Sequence, residues 1–585
     1  MTGTGGFGPL LSAEGVTFRL WAPAARHVAL VSEGKTRPMT RSEDGWYRLV
    51  VPGAAAGTLY TFRIDGELDV PDPASPFQPD DVHGPSEVID HGYRWMANDW
   101  HGRPWETSVF LELHVGTFTP EGTYRAAIDK LDHLVETGIT AIELMPLADF
   151  PGRWNWGYDG VLPYAPDHRY GRPDDLKALI DAAHQRGLMV FLDVVYNHFG
   201  PDGNYLGRYA PSFFTEAQTP WGSAIDYRVP EVRAFAIENA LHWLRDYRFD
   251  GLRLDAVHAI VMPGEPELLR DLSLAVAALA REHDRQIHLV LENDDNRAAM
   301  LDPAGAPGTY RAQWNDDFHH AWHVLLTAET GGYYQDYAQP ASAIARALAE
   351  GFVYQGQPSA HREGATRGEP SRTLPPTAFV DFLQNHDQIG NRARGERLTI
   401  LAAPEELVCA LSVLLLAPSP PLLFMGDEWG ATEPFPFFCD FSGDLADAVR
   451  DGRRREFADA YASARAVPDP LARTTVDSAT LDWSTLNKTP HRERLALVRR
   501  LLAVRHRDIV PIIPHLIAGK ARAIIRNAVL EARWPGAPSL RILANLSHDP
   551  APTPPSAASS RWIWGGAPGD RMQPWEVHAA IESKP

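Results

Sequence analysis

Two hydrophobic rhythms divide this chain. Over roughly the first 95 residues, apolar and polar side chains alternate, as in Val16-Thr17-Phe18-Arg19-Leu20-Trp21 and Trp46-Tyr47-Arg48-Leu49-Val50-Val51. A period of two puts every second side chain on one face, so these runs predict strands with one buried side. Asp44-Gly45 and Asp65-Gly66 supply turns, and a proline-rich connector runs from Pro71 to Pro79.

From about Ser108 the rhythm changes. Short, nearly continuous apolar runs now alternate with stretches of helical period. The runs are Val109–Val115, Ile139–Met145, Leu188–Val195, Gly251–Ala256, Ile287–Glu292, Tyr310–Trp314, Ala378–Leu383 and Pro421–Met425. Repeated β-then-α units predict a parallel sheet, and eight of them predict a closed barrel. The last barrel helix includes Arg492–Val504, and beyond it strand patterns return at Ala523–Arg526, Val529–Trp534, Leu540–Leu546, Trp562–Trp564 and Trp575–Ile581. The expected fold class is therefore α/β: a (β/α)8 TIM barrel with an N-terminal β-sandwich module and a C-terminal β domain. The expected boundaries are 1–95, 96–514 and 515–585. Long loops are expected on the barrel, one forming a subdomain at about 198–230 and another a polar stretch from Pro358 to Pro376.

Charge narrows the class of partner. The formal net charge is −20, which argues against nucleic acid or an anionic membrane, since both need a basic surface. The most apolar stretch, Val408 to Met425, is broken by Pro418, Pro420 and Pro421, so it reads as a buried helix, a turn and a strand. The first basic residue is Arg19, so no basic segment precedes an apolar one as in a secretory signal. Two cysteines, Cys409 and Cys439, are too few for a disulfide framework. A cytoplasmic enzyme acting on a neutral small substrate is the expectation.

In a parallel barrel, reactive groups sit at the C-terminal ends of strands. Four runs here end in acids or an acid-bearing turn: Phe191-Leu192 before Asp193, Leu254 before Asp255, Leu291 before Glu292, and Asn385-His386 before Asp387. An ionised carboxylate after an apolar run is costly unless it is paired or faces a cavity. Glycoside hydrolysis needs such groups, one carboxylate ionised and one carboxyl protonated. Arg253 lies two residues before Asp255, on the same face of a strand, where its guanidinium keeps Asp255 ionised. Glu292 has apolar neighbours, Val290 and Leu291, which suit a raised pKa.

The segments LDVVYNH, GLRLDAVH, LVLEND and FLQNHD, in that order, resemble the four motif regions of the α-amylase family, glycoside hydrolase family 13. The resemblance implies a retaining glycosidase. It makes Asp255 the nucleophile, Glu292 the general acid/base and Asp387 the carboxylate that holds sugar hydroxyls. It also implies that His198 and His386 contact the glucose at the cleavage site, that Arg253 orients Asp255, that Asp193 supports Arg253, and that Tyr158 of WGYDG stacks on the same glucose. Asn197 resembles a position that binds calcium in many members, but without identifiable further ligands no metal is expected, and no cofactor either.

Longer stretches narrow the resemblance. Ala312–Thr327 (AQWNDDFHHAWHVLLT), Gly351–Arg362 and Leu422–Phe438, with FRLWAPAARHVALV near the N-terminus, are similar to the trehalose-releasing branch of that family. The pattern departs from that branch at Asp427, where Glu is expected, and at Phe441, where His is expected. The implied substrate is a malto-oligosyl chain ending in trehalose, together with related α-glucans. Another enzyme must make that trehalose-ended chain upstream, and no complex with it is required. Asn315, Asp316, Asp317, His319 and His320 are candidates for holding the trehalose side, although Asn and Asp also favour helix N-caps. Trp221 and Trp314 are candidate sugar platforms. Competing readings are a branching, debranching or maltogenic enzyme of the same family, and a non-catalytic glucan-binding protein.

Overall fold

The computed structural model describes residues 6–260, 267–458, 467–556 and 560–582. Its N-terminal part is a sandwich of two antiparallel sheets. One holds Leu10–Ser12, Gly15–Trp21, Thr40–Arg41 and Trp46–Val51. The other holds Val28–Ser32, Lys35–Pro38, Leu59–Ile64, Leu68–Val70 and Ser86–Glu87. The period of two works as expected: Val16, Phe18 and Leu20 are buried while Thr17 and Arg19 are partly exposed. Phe18 and Tyr60 meet between the sheets with ring centroids 4.7 Å apart.

Eight parallel strands then close a barrel in chain order: β1 (Phe110–Leu113), β2 (Ala141–Leu144), β3 (Met189–Val194), β4 (Gly251–Leu254), β5 (His288–Leu291), β6 (Ala312–Trp314), β7 (Phe379–Phe382) and β8 (Pro421–Phe424). β8 pairs with β1 through Phe110↔Leu422 and so closes the ring. Each strand falls inside its expected apolar run. All its residues are buried, because the barrel interior covers one face and helices cover the other.

The pleat also fixes where the chemistry goes. Phe110, Ala141, Phe191, Val290, Trp314, Val380 and Phe382 pack with one another as the barrel's own core. Two residues further along β1, β2, β3 and β5, in the same inward direction, stand Glu112, Glu143, Asp193 and Glu292. The polar site is thus the next layer up from an apolar floor.

Among the outer helices are α1 (Pro173–Gln185), α2 (Pro230–Asp246), α3 (Glu267–Glu282), α4 (Asp316–Thr327), α5 (Pro340–Glu350), α6 (Pro404–Leu416) and α7 (His491–Val504). The apolar stretch around Val408 is α6, a turn and β8. Among the described residues, no helix is long and apolar enough to cross a membrane. The C-terminal part is a five-stranded antiparallel sheet in the order Arg522–Arg526, Val529–Trp534, Ser539–Asn545, Val577–Glu582, Ser560–Trp564. It packs against α5 and α6.

Two loops carry more structure than their patterns suggest. The 198–230 region contains a hairpin, Phe214–Thr219 with Gly222–Ile225. Most of the hairpin is exposed, so no apolar alternation marks it in the sequence. The polar stretch after Pro358 folds as a strap whose ends pair, Gln357–Pro358 against Thr366–Arg367.

Candidate active site

Arg253 stands at the centre of the cleft, fully buried on β4. Its Nη1 donates to Asp193 Oδ2 at 2.6 Å and to Asp255 Oδ1 at 2.8 Å, and its Nη2 lies 3.8 Å from Glu292 Oε2. Trp314 lies flat beneath it, 4.0 Å from the guanidinium carbon to the ring centroid. Trp314 therefore holds the arginine rather than offering an open platform. These neighbouring acids overcome burial and hold the guanidinium charged. Asn197 Nδ2 donates to Asp255 Oδ2 and to the Asp255 carbonyl, both at 2.9 Å. The nearest role of Asn197 is thus to fix Asp255, a contact that motif spacing did not reveal.

The turn after Asp255 is strained. Ala256 sits at φ +40°, a left-handed conformation costly for a residue with a Cβ. In that conformation its N–H points to Glu292 Oε2 at 2.5 Å. Burial raises the Glu292 carboxyl to about 7, with Arg253 opposing the shift and Asp255 adding to it. Near neutrality Glu292 can therefore hold or release a proton, while Asp255 stays under Arg253 and Asn197.

Tyr158 and His386 form a second wall, stacked with centroids 5.0 Å apart and planes 23° from parallel. Tyr158 donates its hydroxyl to Asp193 Oδ2 at 2.6 Å. Its place depends on Gly157, at φ +107°, where a Cβ would lie 2.1 Å from the Pro146 carbonyl oxygen. His386 Nδ1 donates to Glu112 Oε1 at 2.5 Å, and its Nε2 lies 3.4 Å from Asp387 Oδ1. Burial works against charge on His386, but Glu112 and Asp387 override it and keep the ring cationic. Desolvation in the cleft raises Asp387, and His386 more than reverses this, leaving it below its ordinary value. Glu112 is essential to this arrangement and escaped the motif reading. Its one signal was an acid inside the apolar run Val109–Val115. His198 Nε2 donates to the Tyr158 carbonyl at 2.9 Å, and Trp221, 47% exposed on the hairpin turn, stacks on the His198 ring at 4.8 Å.

Beyond Glu292 and Asp387 opens a cavity of about 240 Å³. Asp294, Asp316, His320, Tyr333, His361 and Arg362 are among the residues that line it. Of the cluster at the start of α4, Asp316 and His320 face this cavity and the other three do not. Asn315 is buried and donates to Asp381 Oδ1 at 2.8 Å; Asp317 is buried among donors; His319 is bonded to the Leu383 carbonyl and the Tyr334 hydroxyl. The helical period separates them, since adjacent residues turn to different faces. Asp427, one of the two departures, accepts from Gln384 Nε2 at 2.7 Å and from the Phe424 amide at 3.0 Å, as a support of the barrel rim.

Three family models match the chain: a carbohydrate-binding module 48 (isoamylase N-terminal domain) over residues 6–77, an alpha amylase catalytic domain over residues 98–219, and a domain of unknown function over residues 518–578. A solved structure titled a putative alpha amylase from Salmonella typhimurium superimposes with a TM-score of 0.94 at 44% identity, covering 99% of both chains. A pullulanase from Paenibacillus barengoltzii shares the fold, with a TM-score of 0.73 at 19% identity over 100% of this chain and 96% of its own. The malto-oligosyltrehalose trehalohydrolase of Deinococcus radiodurans is 46% identical over 86% of this chain and 83% of its own length. That of Saccharolobus solfataricus is 40% identical over 82% and 83%. The branching enzyme of Mycobacterium bovis matches only 42% of this chain and 37% of its own, at 37% identity. The long matches span module, barrel and cleft together, and the chain therefore belongs to the malto-oligosyltrehalose trehalohydrolases, a glycosidase group within the α-amylase family.

Proposed function

We propose that the enzyme hydrolyses the α-1,4-glucosidic bond next to the terminal trehalose of malto-oligosyltrehalose, with retention, and releases trehalose. Asp255 attacks the anomeric carbon of the donor glucose while protonated Glu292 gives its proton to the departing trehalose oxygen. A glycosyl–Asp255 ester results. Glu292, now ionised, takes a proton from water; the water oxygen bonds to the anomeric carbon, and Asp255 leaves as carboxylate. Asp387, His386 and His198 hold the donor glucose, Tyr158 stacks on it, and Arg253 with Asp193 keeps Asp255 aimed. Asp316 and His320 hold the trehalose unit, and Trp221 is a platform at the rim.

The observation that carries this reading is the position of Glu292, between the donor cluster and a cavity of about 240 Å³ lined by polar side chains. An acid raised to about 7 beside a carboxylate paired with arginine is the division of labour that retaining hydrolysis requires. The domain division 1–95, 96–514 and 515–585 accompanies this reading: the last module strand ends at Glu87, β1 begins at Phe110, and the final sheet begins at Arg522. We place the enzyme in the cytoplasm, downstream of an activity that makes the trehalose-ended glucan, without an obligatory complex.

Product analysis tests the proposal. The purified enzyme is incubated separately with malto-oligosyltrehalose and with the malto-oligosaccharide of matching length. Fast release of free trehalose, with the plain chain cut far more slowly, is the expected result. Equal cutting of both, or a change in α-1,6 linkages, overturns it.

A further inference from the structure

The strap between Gly351 and Ser371 is tied to the loop that follows Glu292 at several points, of which Asp294 is the one nearest Glu292 in sequence. Two arginines of the strap hold every oxygen of that residue. Arg367 Nη2 lies 2.9 Å from Asp294 Oδ1, and Arg367 Nε donates to the Asp294 carbonyl at 2.8 Å. Arg362 Nη2 lies 2.5 Å from Asp294 Oδ2 and donates to the same carbonyl at 3.0 Å, while its Nη1 reaches Asp295 at 2.8 Å. Asp294 stands two residues beyond Glu292, on the cavity side.

Arg367 does more than hold this peg. It is buried, and its Nη1 donates to Asp317 Oδ1 at 2.8 Å and to the Tyr337 hydroxyl at 2.9 Å. Asp317 in turn accepts from Asn296 Nδ2 at 3.0 Å, the Val353 amide at 2.6 Å and the Tyr354 amide at 3.0 Å. One guanidinium therefore joins the loop after β5, the first turn of α4 and the strap. The strap also grips Asp336: Ser359 Oγ donates to it at 2.6 Å and the His361 amide at 3.1 Å. Of the polar groups lining the cavity, Asp316, His320, Asp336 and His361 hang from these joined segments, while Gln388 and Asn391 come from the segment after β7.

A leaving group with no reducing end is told from an ordinary glucose end by hydroxyl positions alone. Such discrimination needs polar groups fixed to within fractions of an ångström, because a misplaced buried partner gives no penalty to the wrong ligand. We propose that Arg367 is the positioning residue for acceptor specificity, locking the strap and the start of α4 to the Glu292 loop so that a trehalose unit is held against the acid. This rests on the function proposed above. Arg367 acts through Asp294 and Asp317 and takes no part in bond breaking.

The test is the ratio of kcat/KM for malto-oligosyltrehalose to that for the matching malto-oligosaccharide, in the full chain. R367M removes every bond of the fork, and R367K keeps the charge but cannot bond Asp294 and Asp317 together. The ratio is expected to fall about tenfold or more in R367M and by less in R367K, with the loss carried by KM for the trehalose-ended substrate. R362M, at the cavity rim, shifts the ratio in the same direction by less. If R367M does not fold, R367K and R362M decide by the same ratio. Equal losses on both substrates, leaving the ratio at its wild-type value, overturn the proposal and reduce Arg367 to a structural residue. A wild-type enzyme with no preference sinks the underlying function as well, and that result is read before any variant is made.

Discussion

The cleft has two halves on either side of Glu292, and they are built by different means. On the donor half, the groups come from strand ends. Arg253 and Asp255 share a face of β4, Asp193 tops β3, and Glu112 rises from β1 to hold His386. Their spacing follows from the barrel pleat: Arg253 finds its acids at the ends of β3 and β4, and Glu112 reaches past β8 to His386. On the acceptor half, Asp294, Asp316, Asp336 and Arg362 come from loops, the first turn of α4 and a strap, and their positions depend on long-range hydrogen bonds and ion pairs. On the proposed mechanism, a rigid scaffold carries the chemistry that any α-glucan hydrolase needs, and loops carry the choice of leaving group. Damage to the first half should lower the rate on every substrate alike. Damage to the second should change which substrate is preferred.

The largest effects test the donor half. Asp255→Ala removes the proposed nucleophile and should lower kcat on the order of 10⁴-fold or more, while glucan binding persists. Glu292→Gln should cost on the order of 10²–10⁴-fold. Its pH profile gives the sharper check. Glu292 acts as an acid only when protonated, and its carboxyl is raised to about 7. Wild-type kcat/KM should accordingly hold below that value and fall as pH rises through about 7, and Glu292→Gln should lack this limb. Steady-state rates from pH 5 to 9 on both substrates decide it. A limb that survives in the variant would assign the proton to another group.

The same contrast explains what could be read from the sequence. All eight barrel strands were legible, because full burial forces continuous apolar runs, and Asp193, Asp255 and Glu292 were legible because they end those runs. Glu112 was not singled out, since one acid within an apolar strand is also what an internal ion pair looks like. On the acceptor half, the cluster after β6 includes Asp316 and His320, which face the cavity, but its spacing did not separate them from Asn315, Asp317 and His319, which do not. Asp316 and Asp317 are neighbours in sequence, yet one faces the cavity and the other anchors Arg367. Their roles depend on a strap some fifty positions later, and no local pattern encodes that pairing.

A middle-sized effect is expected at Glu112. It never reaches the cavity and acts by bonding the His386 amide at 3.0 Å and Nδ1 at 2.5 Å. Glu112→Gln keeps the shape but removes the charge that keeps His386 cationic. Activity should fall about 10–100-fold, as for other residues that orient a first contact through hydrogen bonds. The loss should be equal on malto-oligosyltrehalose and on the plain oligosaccharide. A change in their ratio would break the division between the two halves.

The smallest effect concerns Trp221, which lies where the division is least clear. Its ring is stacked on His198, a donor-side residue, yet it stands exposed on a hairpin turn. If the exposed face is a sugar platform, Trp221→Ala should raise KM by a few-fold to about tenfold, the worth of one aromatic contact of ~0.5–1.5 kcal/mol, with kcat nearly unchanged. Trp221→Phe, which retains a flat ring, should recover most of the loss. If instead the ring serves only to hold His198, the same substitution lowers kcat and leaves KM alone, and Phe rescues it just as well. The split between kcat and KM therefore decides whether the hairpin belongs to the binding surface or to the scaffold of the donor half.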